Sequence, residues 1–287
     1  MTDSLRSILI IARLTFREAV RRRLLWALVG LTLVIVGLTW WGFGRISEAS
    51  PVTGPVEMLA VSQVLVMLAF MFSFVLAMTA VFAGGPAIAD EIESGQALAL
   101  LARPLRRAEL LLGKWFGLGL VLVTYAVVAG AAELVVADLT TGYLPQAPAA
   151  AVLGLAGEGL ILLTLALLFS TRIGPVAGGA IAVVLFGLMW MAGVMGGVGR
   201  ILGNGALAAV EPIARLILPS DVLWRGAMYG LSPPGDTIAS AGGAGLVFRV
   251  SPFFASAPPE PVWLAWSAAW VVLALVIAGL LLRSREI

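Results

Sequence analysis

Long apolar runs separated by short polar breaks fill most of this chain; the first twenty or so residues and the stretch 199–261 follow other patterns. From residue 3 to 22, Leu5, Ile8, Leu9, Ala12, Phe16 and Ala19 recur at helical spacing while Arg6, Arg13 and Arg17 take the opposite side. That spacing predicts an amphipathic helix able to lie in the headgroup plane. Arg21, Arg22 and Arg23 then mark a membrane edge. A first span is predicted over 24–43, because about 20 residues rising 1.5 Å each cross a hydrocarbon core of roughly 30 Å. Trp26, Trp40 and Trp41 near its ends suit interfacial belts.

A loop over 44–57 is expected next, then a second span over 58–82 with irregular backbone at Gly84, Gly85 and Pro86. A third span covers 115–137, with Gly113 and Gly117 spaced for close helix packing at its start. A loop over 138–148, a fourth span over 149–169 and a tight turn holding Arg172 follow. The fifth span runs over 175–198, with Pro175 in its first turn, where proline is tolerated. The sixth, 262–282, is closed by Arg283 and Arg285. Between the last two spans, helical runs at Leu207–Leu218 and Asp221–Met228 alternate with turn signals at Pro219, Pro233, Pro234 and Gly235. This segment is too polar for another span and apolar enough to lie against a membrane.

Composition strengthens that picture. The chain is 61% hydrophobic and 12% charged over 287 residues, with a mean hydropathy of +1.05, far from a soluble globule. Cysteine and histidine are both absent, which excludes disulfides, thiolate zinc sites and imidazole bases. No feature asks for a nucleic-acid partner. The amino terminus lacks a cleavable-leader pattern, so the first span is expected to be retained. With the amino terminus inside, 13 of the 18 basic residues fall on the inner side. That asymmetry predicts a multi-pass protein of the cytoplasmic (inner) membrane with both termini cytoplasmic and residues 199–261 outside.

One charged island breaks the apolar pattern at Asp90–Lys114, DEIESGQALALLARPLRRAELLLGK. Acids come first, then Gly95, leucine-rich turns to Leu101, Pro104, and a second helical run. Proline disfavours helix at the residue before it, so the island reads as a short helix, a break and the start of a longer helix. Leu98 and Leu101, one turn apart, form an apolar ridge that a partner would cover. Gly113-Lys114 is followed by Trp115 and lacks the glycine pattern of a phosphate loop, so no ATP hydrolysis is expected of this chain.

Glu133 and Glu158 fall within the third and fourth spans. Carboxylates there are costly and commonly face a cavity or partner. Both are candidates for a transport path, with hydrogen bonding that fixes helix packing as the plainer reading. Met67, Met71 and Met78 could form a soft-metal ladder, though a methionine stripe is more often filler.

The island carries a resemblance. Glu91, Glu93, Ser94, Gly95, then Leu101, Ala102, Arg103, Pro104, Arg107, Glu109, Leu110, Leu111, Gly113 and Lys114 resemble the corresponding loop of six-span permease subunits of type-2 ATP-binding-cassette (ABC-2) transporters. The likeness is greatest to the subgroup that serves nitrous-oxide-reductase maturation. The amphipathic helix resembles that family's connecting helix, and Leu218, Pro219, Ser220, Asp221, Leu223, Trp224 and Arg225 resemble an outer segment of the subgroup.

The resemblance implies an all-α membrane protein, a single transmembrane domain over 1–287 with six helices and a cytoplasmic coupling helix between the second and third spans. It implies a coupling interface at Asp90, Glu91, Glu93, Gly95, Leu98, Leu101, Arg103, Pro104 and Arg107. The expected partners are an ABC ATP-binding subunit, which holds the ATP and Mg, a second permease copy, and membrane lipid. Export is the favoured direction. Alternatives are a non-transporting membrane anchor or assembly factor, a single-chain secondary transporter, and an intramembrane hydrolase. The secondary transporter lacks an inverted repeat, and the hydrolase lacks a base placed beside Ser73 or Thr79.

Overall fold

A computed structural model describes residues 2–21, 23–49, 52–93, 106–249, 251 and 253–284. Among these every regular element is helical: α1 (Thr2–Arg21), α2 (Arg23–Ala49), α3 (Pro55–Glu93), α4 (Arg107–Thr141), α5 (Pro148–Ser170), α6 (Pro175–Ile201), α7 (Gly205–Ile217), α8 (Ser220–Leu231), α9 (Gly235–Ser240), α10 (Gly243–Arg249) and α11 (Pro261–Arg283). Six of them, α2 to α6 and α11, are long and apolar enough to cross a membrane.

The predicted spans match these helices, but several ends move. The first span does not stop at residue 43: α2 continues to Ala49, its last turns carrying an exposed Arg45–Glu48 pair at 3.1 Å. The expected irregularity at Gly84–Pro86 is absent as a break, since α3 runs unbroken across Pro86. Both glycines instead admit neighbours. A Cβ at Gly84 would meet Ala166 and Leu163 at 3.0 Å, and one at Gly85 the Pro175 carbonyl at 3.2 Å. Nearby, the Ile88 and Ala89 amides donate to Ser170 Oγ at 3.1 and 3.0 Å, which ties α3 to the end of α5. Asp90 and the backbone of Glu91 to Glu93 therefore finish α3 and do not begin a separate helix. α4 starts at Arg107, eight residues before the predicted span, and continues through Asp138 to Thr141. It stops where Gly142 takes φ +67°, its amide donating to the Asp138 carbonyl at 2.8 Å, the usual left-handed helix ending.

α5 is the hub. Ile161, Leu162, Leu163 and Leu167 are almost fully buried, and α3, α4, α6, α8 and α11 all pack on it. By contrast α2 and α11 are largely exposed along their apolar lengths, as expected of helices that face lipid.

The segment between the fifth and sixth spans packs deeply: α7 and α8 form a hairpin inserted among the spans. α7 descends antiparallel to the end of α6, where a Cβ at Gly199 would strike the Ala208 amide at 2.5 Å and one at Gly196 would strike Glu211. Leu218 and Pro219 make the turn, with Leu218 buried. α8 then ascends against α5: Gly154 faces the Leu223 carbonyl and Ala227, Gly157 faces Leu223, and Gly230 faces Ala147 and Ala151. Gly157 lies nine residues into α5, so the hairpin reaches about 14 Å below the start of that helix at 1.5 Å per residue. Small residues allow this backbone proximity. Free carbonyls at the end of α7 need donors at that depth, and the last span supplies them: Trp266 Nε1 donates to the Arg215 carbonyl at 3.1 Å and Trp270 Nε1 to that of Ile217 at 2.8 Å.

Candidate functional site

The bundle has two chemically distinct ends. One carries α1, the flanks of the charged island and the last residues of α5 and α11. Of the predicted interface, Asp90 is exposed at the end of α3. Glu91 and Glu93 have described backbone only, and Gly95, Leu98, Leu101, Arg103 and Pro104 lie outside the described residues. Arg107 lies against the last turn of α11, its Nη1 donating to the Leu282 carbonyl at 2.7 Å and the Arg283 carbonyl at 3.1 Å. Cations at a helix C-terminus are favourable, because unpaired carbonyls collect there.

Glu109, two residues later, is buried. Its carboxylate accepts from the Arg106 amide at 3.3 Å, an N-terminal capping bond, and from Ser4 Oγ of α1 at 2.7 Å. α1 then lies along the first turns of α4, meeting the two glycines singled out by spacing. A Cβ at Gly113 would come within 2.6 Å of Ile11, and one at Gly117 within 2.6 Å of the Ala12 carbonyl. Thr15 and Ala19 are buried in this contact, while Leu5, Leu9, Ile10 and Leu14 remain exposed. Arg172, in the turn after α5, donates to Ser284 Oγ at the end of α11. The island's flanks are thus joined to α1, α5 and α11.

The two membrane acids have different surroundings. Glu158, midway along α5, is 2% exposed and accepts a hydrogen bond from Ser73 Oγ of α3 at 2.8 Å. Glu133 lies on α4, and both of its carboxylate oxygens are buried without a hydrogen-bond partner of normal geometry. They border an apolar crevice of about 170 Å³ between α2, α3, α4 and α5. Met67 and Met71 are exposed on α3, and among the described residues no group of three or more acid, His or Cys side chains could hold a metal.

At the other end, sequence reasoning missed a buried ion cluster. Glu211 and Asp221 are nearly inaccessible and receive three arginines of the hairpin region. Arg200 reaches Glu211 at 2.5 Å, Arg215 pairs with both Glu211 and Asp221, and Arg225 meets Asp221 at 3.0 Å and Glu211 at 3.4 Å. Arg225 also donates to the Gly193 carbonyl at 2.9 Å, and Arg215 lies over the Trp263 ring. The cluster borders an open cavity of about 850 Å³. A signal was present in the sequence: Glu211–Arg215 and Asp221–Arg225 are i,i+4 pairs within an otherwise apolar stretch. Counted only as outer bases, the arginines gave no hint that their helices fold inward.

Comparison with known proteins agrees with this architecture. The family model described as "ABC-2 family transporter protein" matches residues 9–282. A protein of Pseudomonas aeruginosa described as "Probable ABC transporter permease protein NosY" is 32% identical over 296 residues, covering 96% of this chain and 98% of the relative. A protein of Stutzerimonas stutzeri with the same description is 31% identical over 134 residues, covering 46% of each.

Proposed function

Because the chain belongs to the ABC-2 family of membrane transporter permeases, for which a cognate ATP-binding partner supplies the ATP chemistry, we propose that it is the membrane half of an exporter whose coupling surface is the segment between α3 and α4. Asp90, Glu91, Glu93, Gly95, Leu98, Leu101, Arg103, Pro104 and Arg107 form that surface in this reading. The ATP-binding subunit covers the Leu98–Leu101 ridge, a second copy of the chain completes the pathway, and α1 lies at the lipid interface. Both termini and the island are cytoplasmic, and the hairpin end faces outward across the inner membrane.

The observation that carries the reading is how the flanks of this segment are tied. α3 enters it fastened to α5 through Ser170. α4 leaves it fastened to α11 through Arg107 and to α1 through Glu109. A displacement of the segment would move five packed helices together, as an interior of discrete packing arrangements requires. Glu158 sits further along the same path, where α3, α5 and the hairpin meet, and a movement of α3 would be felt at its bond to Ser73.

The test is co-purification of the chain with its ATP-binding subunit from native membranes, followed by ATPase assay. Leu98→Glu is expected to remove the partner from the purified complex while the permease still inserts. Retention of the partner and unchanged ATPase in that variant would place the coupling surface elsewhere. Isolation of the intact chain with an envelope or oxidoreductase complex and no ATP-binding subunit would favour the assembly-anchor reading.

A further inference from the structure

The crevice beside Glu133 has one polar feature and no internal partner for it. Its walls are Thr32 and Ile35 of α2, Leu68 and Phe72 of α3, and Val152 and Leu155 of α5. The two hydroxyls nearest to a role are already used. Thr32 Oγ1 bonds to the Leu28 carbonyl at 2.9 Å and to the Tyr125 hydroxyl at 2.6 Å, and Thr39 Oγ1, the polar neighbour of Glu133, donates to the Ile35 carbonyl at 3.0 Å. Buried polar groups in native proteins are nearly always satisfied, and a carboxyl at membrane depth more than most needs a donor or a counter-charge. Thr39 is the hydroxyl beside this carboxyl, and with its proton on Ile35 neither Glu133 oxygen has a hydrogen bond of normal geometry.

The crevice is also reachable. α2 packs mainly on α4 and meets α3 around Phe43, Val61 and Leu65, and Met71, which lines the crevice on α3, is 54% exposed. An apolar cavity of roughly 150 Å³ is enough for one benzene ring, so about 170 Å³ admits an aromatic ring or a short alkyl body. An apolar body with a single cationic donor would satisfy both halves of the site. The body replaces lipid contact with Leu68, Phe72 and Leu155, and an ammonium group meets the otherwise unpaired carboxylate. An ionised carboxylic acid would set a like charge beside Glu133, and a neutral alcohol of the same shape would offer a hydrogen bond without the counter-charge.

We propose that Glu133 and this crevice form a lateral binding site, open to the membrane between α2 and α3, for an amphiphile bearing a primary amine. The site deepens the transport-path reading of Glu133 by naming a ligand class, and it is occupied whether or not ATP is turned over. The amine has two natural sources, a lipid headgroup or a free amphiphile dissolved in the bilayer.

The experiment uses the full chain in phosphatidylcholine vesicles without nucleotide, so that coupling plays no part in the readout. Trifluoromethyl-diazirinyl benzylamine is photolysed into the sample, the matching benzyl alcohol serves as isostere, and adducts are mapped by mass spectrometry. Saturable labelling by the amine on α2, α3 and α4 around Glu133 is expected, falling about tenfold in Glu133→Gln, the scale of one charge-assisted hydrogen bond. Met71→Trp, at the exposed lip, is expected to reduce labelling without touching the acid and covers the case in which Glu133→Gln fails to fold. With the site confirmed, suppression of labelling by added phosphatidylethanolamine assigns the amine to a lipid headgroup, and labelling that survives it assigns a free amphiphile. Equal labelling by amine and alcohol, or labelling unchanged in both variants, would overturn the site. Loss of labelling in Glu133→Gln with ATPase coupling intact would leave the binding site standing and remove Glu133 from the transport path.

Discussion

The two ends of the bundle are held differently. At the hairpin end, buried charges compensate one another: two acids and three arginines join α6, α7 and α8 into one unit. At the island end, helices meet through glycine, and side chains satisfy backbone groups: Arg107 on the carbonyls of α11, Ser170 on the amides of α3, and Glu109 on the start of α4. A closed ion cluster resists rearrangement, because every partner removed leaves a buried charge behind. Backbone-capping bonds and small-residue contacts let helices pivot while keeping their own hydrogen bonds. The difference suits a rigid wedge at the hairpin end and a jointed platform at the island end.

The sharpest way to break this contrast is Glu211→Ala. It leaves Arg215 and Arg225, both mostly buried, to share Asp221 alone, so one buried charge goes uncompensated, and the change is expected to cost about 3–5 kcal/mol, the largest effect of the set. Thermal unfolding of the purified chain reads it out, and a midpoint equal to wild type would show that the cluster does not hold the hairpin. Next in size is Gly113→Val at the other end. Even a Cβ there meets Ile11 at 2.6 Å, so α1 must move away, at about 1–3 kcal/mol for overpacking. Faster tryptic cleavage at Arg13 and Arg17 is the expected sign, and unchanged cleavage would mean that α1 is held by its other contacts. Smaller again is Arg107→Ala. It removes two charge-assisted bonds from a partly exposed residue, for about 1–2 kcal/mol. If the island end is the jointed one, this variant should lower ATPase coupling more than it lowers stability; equal losses would make Arg107 a structural cap only.

The spans were legible because length and hydropathy alone specify a membrane helix, and α5, α6 and α11 end within a residue or a few of their expected limits. Helix ends beyond the hydrocarbon were not legible. Nothing in the apolar pattern distinguishes Asp138–Thr141 as helix from the same residues as loop; the deciding feature is the left-handed Gly142. Gly113 and Gly117 announced a close contact but not its partner, since spacing reports that a backbone approaches and not which one. The hairpin was legible as two short helices, but its depth among the spans was not. Its charges argued for water, and only the tertiary contacts of Glu211 and Asp221 with three arginines make burial affordable. Glu133 and Glu158 were both legible as acids within spans, Glu158 the deeper, because sequence gives depth in a span; the Ser73 hydroxyl and the crevice that separate them come from other helices.

The smallest expected effect tests how the wedge meets the spans. The connection between α4 and α5 closes over the end of α8: Gln146 Nε2 donates to the Tyr229 carbonyl at 2.7 Å, and Tyr143 Oη to that of Leu231 at 2.8 Å. Ser62 Oγ of α3 shares the Leu231 carbonyl at 3.2 Å. Burial pushes the Tyr143 phenol up to about 12 from its ordinary 10.0, against a smaller opposing pull from the Ser62 hydroxyl. The folded protein therefore holds the neutral phenol more firmly than the unfolded chain does. Its contribution is complete below pH 10 and is lost as pH rises from there toward 12. Tyr143→Phe should cost about 1 kcal/mol at neutral pH, the worth of one hydrogen bond, with Ser62 keeping the carbonyl partly satisfied. The same variant should unfold with a flatter dependence on pH between 10 and 12 than wild type, because the group whose proton is being held is gone. A parallel pH dependence in the two proteins would mean that this phenol does not fasten the hairpin to the connection above it.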